Sequence, residues 1–370
     1  MNGELLRWRS KMFCPLRITV LLFIPVLFVN LKIADAQEPF YQGKALRIVV
    51  SSAAGGGGDL VARTIARHLP RHIPGNPTLI VENMPGGGDI VGINYVYNIA
   101  KRDGLTLLFS TGAPITQLLD PPEMKFDILK MHFIGGSSES VAAFIRSDKT
   151  GVKSVNDLPK ATGPIVLGGS QVGSIKDISL LTAMNLLGVK VKYVPGYGGS
   201  GPVRLAFERG EINFTQETAV PIRTTMMPWV RQGWTSILYQ VGFLGAKGNV
   251  IKDPVWKEMG IELPTVGEAY KMLYGKEPLG PAWEAEKAVV GGYSLTRMIA
   301  FPPGVSAERV TELRAAFKSM SQDSVFREEW DKRGSAAGLV VGDEAQEIAA
   351  TIINSPKDAV ELLKKLATLK

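Results

Sequence analysis

The sequence predicts a two-lobed α/β fold in which each lobe is a mostly parallel sheet flanked by helices, with a hinge between the lobes. Three features lead to it. β-prone runs alternate with glycine-rich loops and amphipathic helices, the order that builds parallel sheets with helices on their faces. The same unit reappears after about residue 141 with no low-complexity tract or long linker in between, so the chain is expected to cross between the lobes more than once. The stretch from residue 37 to 370, in a chain that is 45% hydrophobic, is long enough to fill two cores. The expected organisation is a first lobe from 41–140 together with 256–370, and a second lobe at 141–255.

Ahead of the lobes, Arg7, Arg9, Lys11 and Arg17 precede an apolar run at 18–29. That run is about a dozen residues, short of the roughly 20 that span a bilayer, and Ala34-Asp35-Ala36 follows with the small residues a signal peptidase requires. Residues 1–36 therefore read as a signal peptide cut after Ala36, which places the protein in the periplasm. The one cysteine, Cys14, lies before the apolar run and is removed with it, so neither a disulfide framework nor a thiolate nucleophile is expected. Residues 1–36 also hold five basic and two acidic groups, leaving about +4 of the formal +7 on the remainder. That charge is dispersed and the compartment holds little nucleic acid, so no nucleic-acid partner is expected.

The first lobe opens with a strand at 46–50, a loop at 51–58 and a helix that Asp59 can cap, with Val61, Ala62, Ile65, Ala66 and Leu69 on one face. A strand at 78–81, the loop Met84-Pro-Gly-Gly-Gly88 and a helix at 90–100 repeat the order, and a third strand, 105–109, ends in Ser110-Thr111-Gly112. In the second lobe a strand at 164–167 runs into Gly168-Gly-Ser170 and a helix that Gly188 can stop. A strand at 189–194 then leads into Pro195-Gly-Tyr-Gly-Gly-Ser-Gly201, a helix at 202–209 and a short strand at 211–214, with Gln216, Glu217 and Thr218 after it. The tail reads as helices near 306–320, 323–333, 343–354 and 356–368.

In such sheets ligands bind beyond the carboxyl ends of the strands, where the glycine loops lie. Ala54-Gly-Gly-Gly-Gly-Asp59 and Pro85-Gly-Gly-Gly-Asp89 each stand between a strand and a helix, so backbone N–H groups at the positive end of the helix dipole can face an anion. One such loop is more simply a tight turn; two with the same placement could hold one carboxylate between them. Neither fits a nucleotide motif: no Lys-Ser or Lys-Thr follows at P-loop spacing, and the last position of G-x-G-x-x-G is Leu60 from Gly55 and Val91 from Gly86. Gly168-Gly-Ser170-Gln-Val172 and Gly198-Gly-Ser200-Gly-Pro202 both lack the closing glycine of a hydrolase nucleophile elbow, and three histidines, His68, His72 and His132, make a general base hard to supply. Pro70 separates His68 from His72, which are expected to be solvated helix-end residues instead of metal ligands. Neither catalysis, nor a cofactor, nor a metal is expected.

Several of these segments resemble one family. Strand 46–50, four glycines and Asp59-x-x-Ala-Arg63 are similar to the first signature of the substrate-binding proteins of tripartite tricarboxylate transporters, also called the Bug family. Pro74-Gly-Asn-Pro with Val81-Glu-Asn-Met-Pro-Gly-Gly-Gly88, then Gly196-Tyr-Gly-Gly-Ser200 with Ala206-x-x-x-Gly210-Glu211, and Leu263-Pro-Thr265 resemble the later ones in the same order. Ala53-Ala54 and Asn213 depart from it, standing where the family often has a proline and an aspartate, and 245–295 is longer than typical.

The resemblance implies a periplasmic binding protein of the type II-like kind, a monomer that closes on a small carboxylate, a di- or tricarboxylate or a related organic acid, and delivers it to inner-membrane transporter subunits. A sensor that feeds a signalling partner is the alternative. It places the anchor on Ser52, Ala53, Gly55, Gly56, Gly57, Gly58, Gly86, Gly87 and Gly88, with Ser110 and Thr111 beside it. From the residues themselves Asp59 joins this set, and Ser170, Tyr197, Gly198, Gly199, Ser200, Gln216, Glu217 and Thr218 are the second-lobe candidates. Main-chain amides are expected to carry the charge, with Arg63 pointing away from its loop.

Overall fold

The computed structural model describes residues 38–369 apart from 56, 140, 171, 246–247 and 333–337, so the expected signal peptide and Gly56 lie outside the described residues. Strand β1 (Ala45–Val50) leads into helix α1 (Gly57–His68), β2 (Thr78–Asn83) into α2 (Ile90–Asn98), and β3 (Thr106–Thr111) into α3 (Ala113–Leu119). Strand β4 (His132–Ser137) follows, and after three residues the chain enters a second sheet at β5 (Val141–Arg146). That sheet continues with β6 (Ile165–Gly168), α4 (Ile175–Leu186), β7 (Val191–Val194), α5 (Ser200–Arg209), β8 (Phe214–Thr218) and β9 (Thr235–Gln240).

The return begins with the small hairpin β10 (Phe243–Leu244) and β11 (Val250–Ile251), then α6 (Val266–Tyr274) and α7 (Pro281–Ser294). Strand β12 (Arg297–Phe301) re-enters the first sheet, followed by α8 (Ala307–Gln322), α9 (Ser324–Lys332), β13 (Leu339–Val341), α10 (Gly342–Ile353) and α11 (Lys357–Ala367).

Both sheets are mixed. The first runs β13-β4-β12-β3-β1-β2, with β1 parallel to β2 and β3, while β12 lies antiparallel between β3 and β4. The second runs β7-β6-β8-β5-β9, parallel through β7, β6 and β8 and antiparallel at β5 and β9. An antiparallel strand in each sheet is where the chain passes between lobes, because a chain arriving from the other lobe enters from the opposite end.

Alternation along the strands fills a core on each face, as a sheet covered on both sides requires. In the first sheet Leu46, Ile48, Val50, Leu107, Phe109, Ile299 and Phe301 face α1 and α8, whereas Val49, Leu108, Met298 and Ala300 face α2 and α10. In the second, Ala143 and Ile145 point to one side and Ala142 and Phe144 to the other. A further core gathers around α7, whose Ala285, Ala288, Val289 and Tyr293 pack with residues of α3, α4, α10 and α11.

Several expectations shift. Val255, Trp256 and Leu263 pack with Phe144 and Phe207, and Val266 and Ala269 pack with Leu167 and Phe214, so residues past 255 share the second sheet's cores. The strand expected at 211–214 runs over Phe214–Thr218, which puts Gln216, Glu217 and Thr218 inside β8 instead of after it. His68 is buried, its ring held between Glu329 (2.7 Å) and Arg71 (2.9 Å), because α9 folds back over the end of α1 and covers it.

Candidate functional site

The three parallel strands β1, β2 and β3 end side by side, and the loops after them are fixed by two carboxylates. Asp59 lies in the first turn of α1, not at its cap: its Oδ2 accepts the Gly55 N–H (2.8 Å) and Arg63 Nε (3.0 Å), and its Oδ1 accepts Asn83 Nδ2 (3.0 Å). The Asn83 amide also donates to the Ser52 carbonyl at 3.0 Å, so the end of β2 sutures the first glycine loop. The Arg63 guanidinium, with help from these donors, holds the Asp59 carboxyl down to about 2. Arg63 therefore turns toward its loop, contrary to expectation, because Asp59 stands one helical turn before it and captures it at i,i+4. The Gly55 amide is consumed in this arrangement.

Asp89 does the same for the second loop. It sits in the left-handed region (φ 78°) at the start of α2, and its Oδ2 accepts the Thr111 N–H at 2.9 Å, with Ser110 Oγ at 3.5 Å. Burial raises its pKa, and the Thr111 amide and serine hydroxyls oppose that. Gly86, Gly87 and Gly88 before it all have positive φ (137°, 57° and 62°), a run that residues with a Cβ rarely adopt.

Between the loops is a nook. Ser52 Oγ and Thr111 Oγ1 are both buried and have no hydrogen-bond partner among the described residues. A Cβ placed on Gly58 would lie 2.7 Å from Ser52 Oγ and 3.1 Å from Thr111 Oγ1, so glycine at 58 keeps the space in front of both hydroxyls open. Gly57 and Gly58 open α1 and present the N–H groups that every helix start leaves without an intrahelical acceptor. Buried hydroxyls without partners cost free energy, and an anion in the nook would satisfy them.

The nook is one end of a cavity of about 830 Å³ whose lining includes Ser52, Gly58, Gly87, Gly88 and Thr111. Of the other described first-lobe candidates, Ala53, Gly55, Gly57, Asp59, Gly86 and Ser110 are not among its lining residues. Sequence reading missed the remaining lining, which comes from Asp89 and Ile90, from α3 and Pro121-Pro122, from 172–174 with Ile175 at the start of α4, and from the end of α11.

The second-lobe candidates do not join it. Ser170 accompanies Asp177, donating its N–H at 2.9 Å, while Tyr193 donates its hydroxyl to the same carboxylate at 2.6 Å. The loop at 196–200 is zipped to the β6 end by Tyr197 N–H to Gly169 O (3.3 Å) and Gly198 N–H to Ser170 O (2.9 Å), and Gly199 and Ser200 lead from it into α5. Tyr197 is half-buried against the core beside α5. Gln216 is saturated: it donates to Tyr293 Oη (2.6 Å) and the Lys176 carbonyl (3.2 Å) and accepts from Ser179 (3.2 Å). Glu217 is bridged by Lys176 (3.2 Å) and Arg204 (3.7 Å), and Thr218 pairs with Val141 at the end of β8. Among the described residues no group of three His, Cys, Asp or Glu side chains could hold a metal ion.

No protein-family profile matches the chain. A 225-residue stretch is 28% identical to the "UPF0065 protein in the TAR-I ttuE-ttuC' intergenic region" of Agrobacterium vitis, covering 56% of this chain. The match spans 62% of that curated relative's length. A TctC solute-binding protein from Polaromonas superposes with a TM-score of 0.64 at 21% identity, over 88% of this chain and 98% of that one. The fold is that of the TctC-type solute-binding proteins. An R. palustris protein solved with adipate has the same fold (TM-score 0.60, 20% identity, 88% of this chain and 97% of that one). The architecture expected from the sequence, two sheets each flanked by helices, therefore holds.

Proposed function

We propose that this protein is a non-catalytic receptor that captures a small carboxylate at the ends of β1, β2 and β3 and delivers it to membrane transporter subunits. The observation that carries the reading is the nook at Gly58: two buried hydroxyls without partners, Ser52 Oγ and Thr111 Oγ1, converge where two glycine loops meet. Among the described residues the N–H groups of Gly87 and Gly88 also donate to no protein acceptor. Neutral donors of this kind suit a carboxylate, since a hydrogen bond to a charged group contributes about 1.5–3 kcal/mol. The adipate held by a protein of the same fold agrees with this ligand class.

The two crossings between the sheets lie together, with Glu139 N–H donating to the Tyr293 carbonyl at 3.0 Å and Glu139 paired to Arg297 at 3.0 Å. A hinge there lets the lobes close on the acid. Residues 1–36 direct export and are removed in the process, and no described helix is long and apolar enough to cross a membrane.

A thermal-shift screen against a carboxylate panel tests the reading. A ligand at 100 times its Kd adds about 2.7 kcal/mol of stability, and a flat response to every acid would overturn the proposal.

A further inference from the structure

The cavity in front of the nook is built for something other than a compact polar acid. We infer, on the receptor reading above, that the ligand is a medium-chain or aromatic monocarboxylate, its charged end in the Gly58 nook and its apolar body along the cavity. Past Ser52 and Thr111 the wall turns apolar: Ile90 opens α2, Ile115 and Leu119 lie along α3, and Val172 and Ile175 face them from the second lobe. Val172 is 39% exposed, an apolar side chain left uncovered at the mouth of the site.

The size agrees. About 830 Å³ lies within the range of sites that enclose a sizeable organic molecule, and a four-carbon diacid would leave most of it unfilled.

The charges decide between acids of equal size. A second carboxylate would need a cation or converging polar donors on the far wall, where Ile115, Leu119, Val172 and Ile175 present apolar side chains and the lining cation, Lys364, pairs with Asp120 at 3.8 Å. Lys176 and Arg204 are not part of the wall, and Glu217 holds both of them. A di- or tricarboxylate would therefore bring a second charge against Ile115, Leu119 and Ile175 with no cation beyond the Asp120-paired Lys364 among the lining residues, which is costly in an apolar site. A methylene chain placed there gains by burial, by roughly three- to fourfold in affinity per group.

Calorimetry on the whole protein with the straight-chain monocarboxylates from butanoate to octanoate, phenylacetate, malate and citrate tests this. The expected result is affinity rising about threefold per methylene toward octanoate, with malate and citrate at least tenfold weaker than octanoate. Val172→Ser and Leu119→Ser, both at the cavity surface, should flatten the chain-length dependence, weakening octanoate several-fold more than butanoate. Malate or citrate binding more tightly than octanoate, or an affinity independent of chain length, overturns this inference and leaves the receptor standing. Failure of every acid to bind overturns both.

Discussion

Glu286 offers a quantitative test of how the molecule is held together. It lies on α7 in the core between the sheets, is fully buried, and neither carboxylate oxygen has a hydrogen-bond partner among the described residues. The Tyr239 hydroxyl of β9, which the Glu286 charge would disfavour further as an anion, is also buried without a partner. Burial pushes the Glu286 carboxyl up from 4.5 to about 8, so it is protonated in the folded protein at neutral pH and ionised in the unfolded chain. A raised pKa contributes its full stability below the unfolded value of 4.5 and loses it as pH climbs toward 8. At pH 7 the loss is about 3 kcal/mol, from roughly 2.5 pH units at about 1.4 kcal/mol each. Glu286→Gln, which keeps the shape and cannot ionise, should therefore be more stable than the parent by about 3 kcal/mol at pH 7 and by under about 1 kcal/mol at pH 5. Urea unfolding of both proteins at the two pH values reads this directly. A difference that does not change with pH would refute the reasoning, because it would place the charge in contact with water or a partner.

Three further outcomes concern the nook. Ser52→Ala and Thr111→Val should each weaken carboxylate binding by roughly 10- to 100-fold in calorimetry with circular dichroism unchanged, as each removes one hydrogen bond to a charged group. Gly58→Ala should abolish binding while the thermal midpoint holds or rises: its Cβ would stand 2.7 Å from Ser52 Oγ, and alanine favours the helix that residue 58 already belongs to. Arg63→Ala should cost less than about tenfold in affinity, because its guanidinium serves Asp59 and Asn83 and the ligand is met by hydroxyls and amides. A larger loss would show that the arginine itself meets the anion.

The strand–glycine loop–helix units of the first lobe were legible because each is local: the strand's apolar run, the loop's glycines and the helix's face all lie within about 20 residues. The antiparallel strands were not. Strand β4 carries Gly135-Gly136 in its middle and reads as a turn, yet a Cβ on Gly135 would strike the Phe317 ring and one on Gly136 the Arg297 carbonyl. Those glycines exist because α8 and β12 press on the strand from far along the chain. The site divides in the same way. Glycines at strand ends marked the nook, but Gln216 and Glu217 looked free only because their partners, Tyr293, Lys176 and Arg204, stand on other elements. The apolar wall from α3 and from Val172 and Ile175 left no signal, since its residues are ordinary core types until the fold leaves them uncovered.

The place of β12 in the first sheet bears on how the chain folds. All five strands of the second sheet lie between residues 141 and 240, so that lobe's strands can pair as soon as they have been made. The first sheet cannot be completed: β3 and β4 are joined only through β12, which arrives at residue 297. Until then β3 and β4 each carry an unpaired edge, the state in which strands of neighbouring chains associate. A chain truncated before residue 297 should thus retain an ordered second lobe and aggregate through its first, and refolding of the whole should show a slow phase set by the late, long-range insertion of β12.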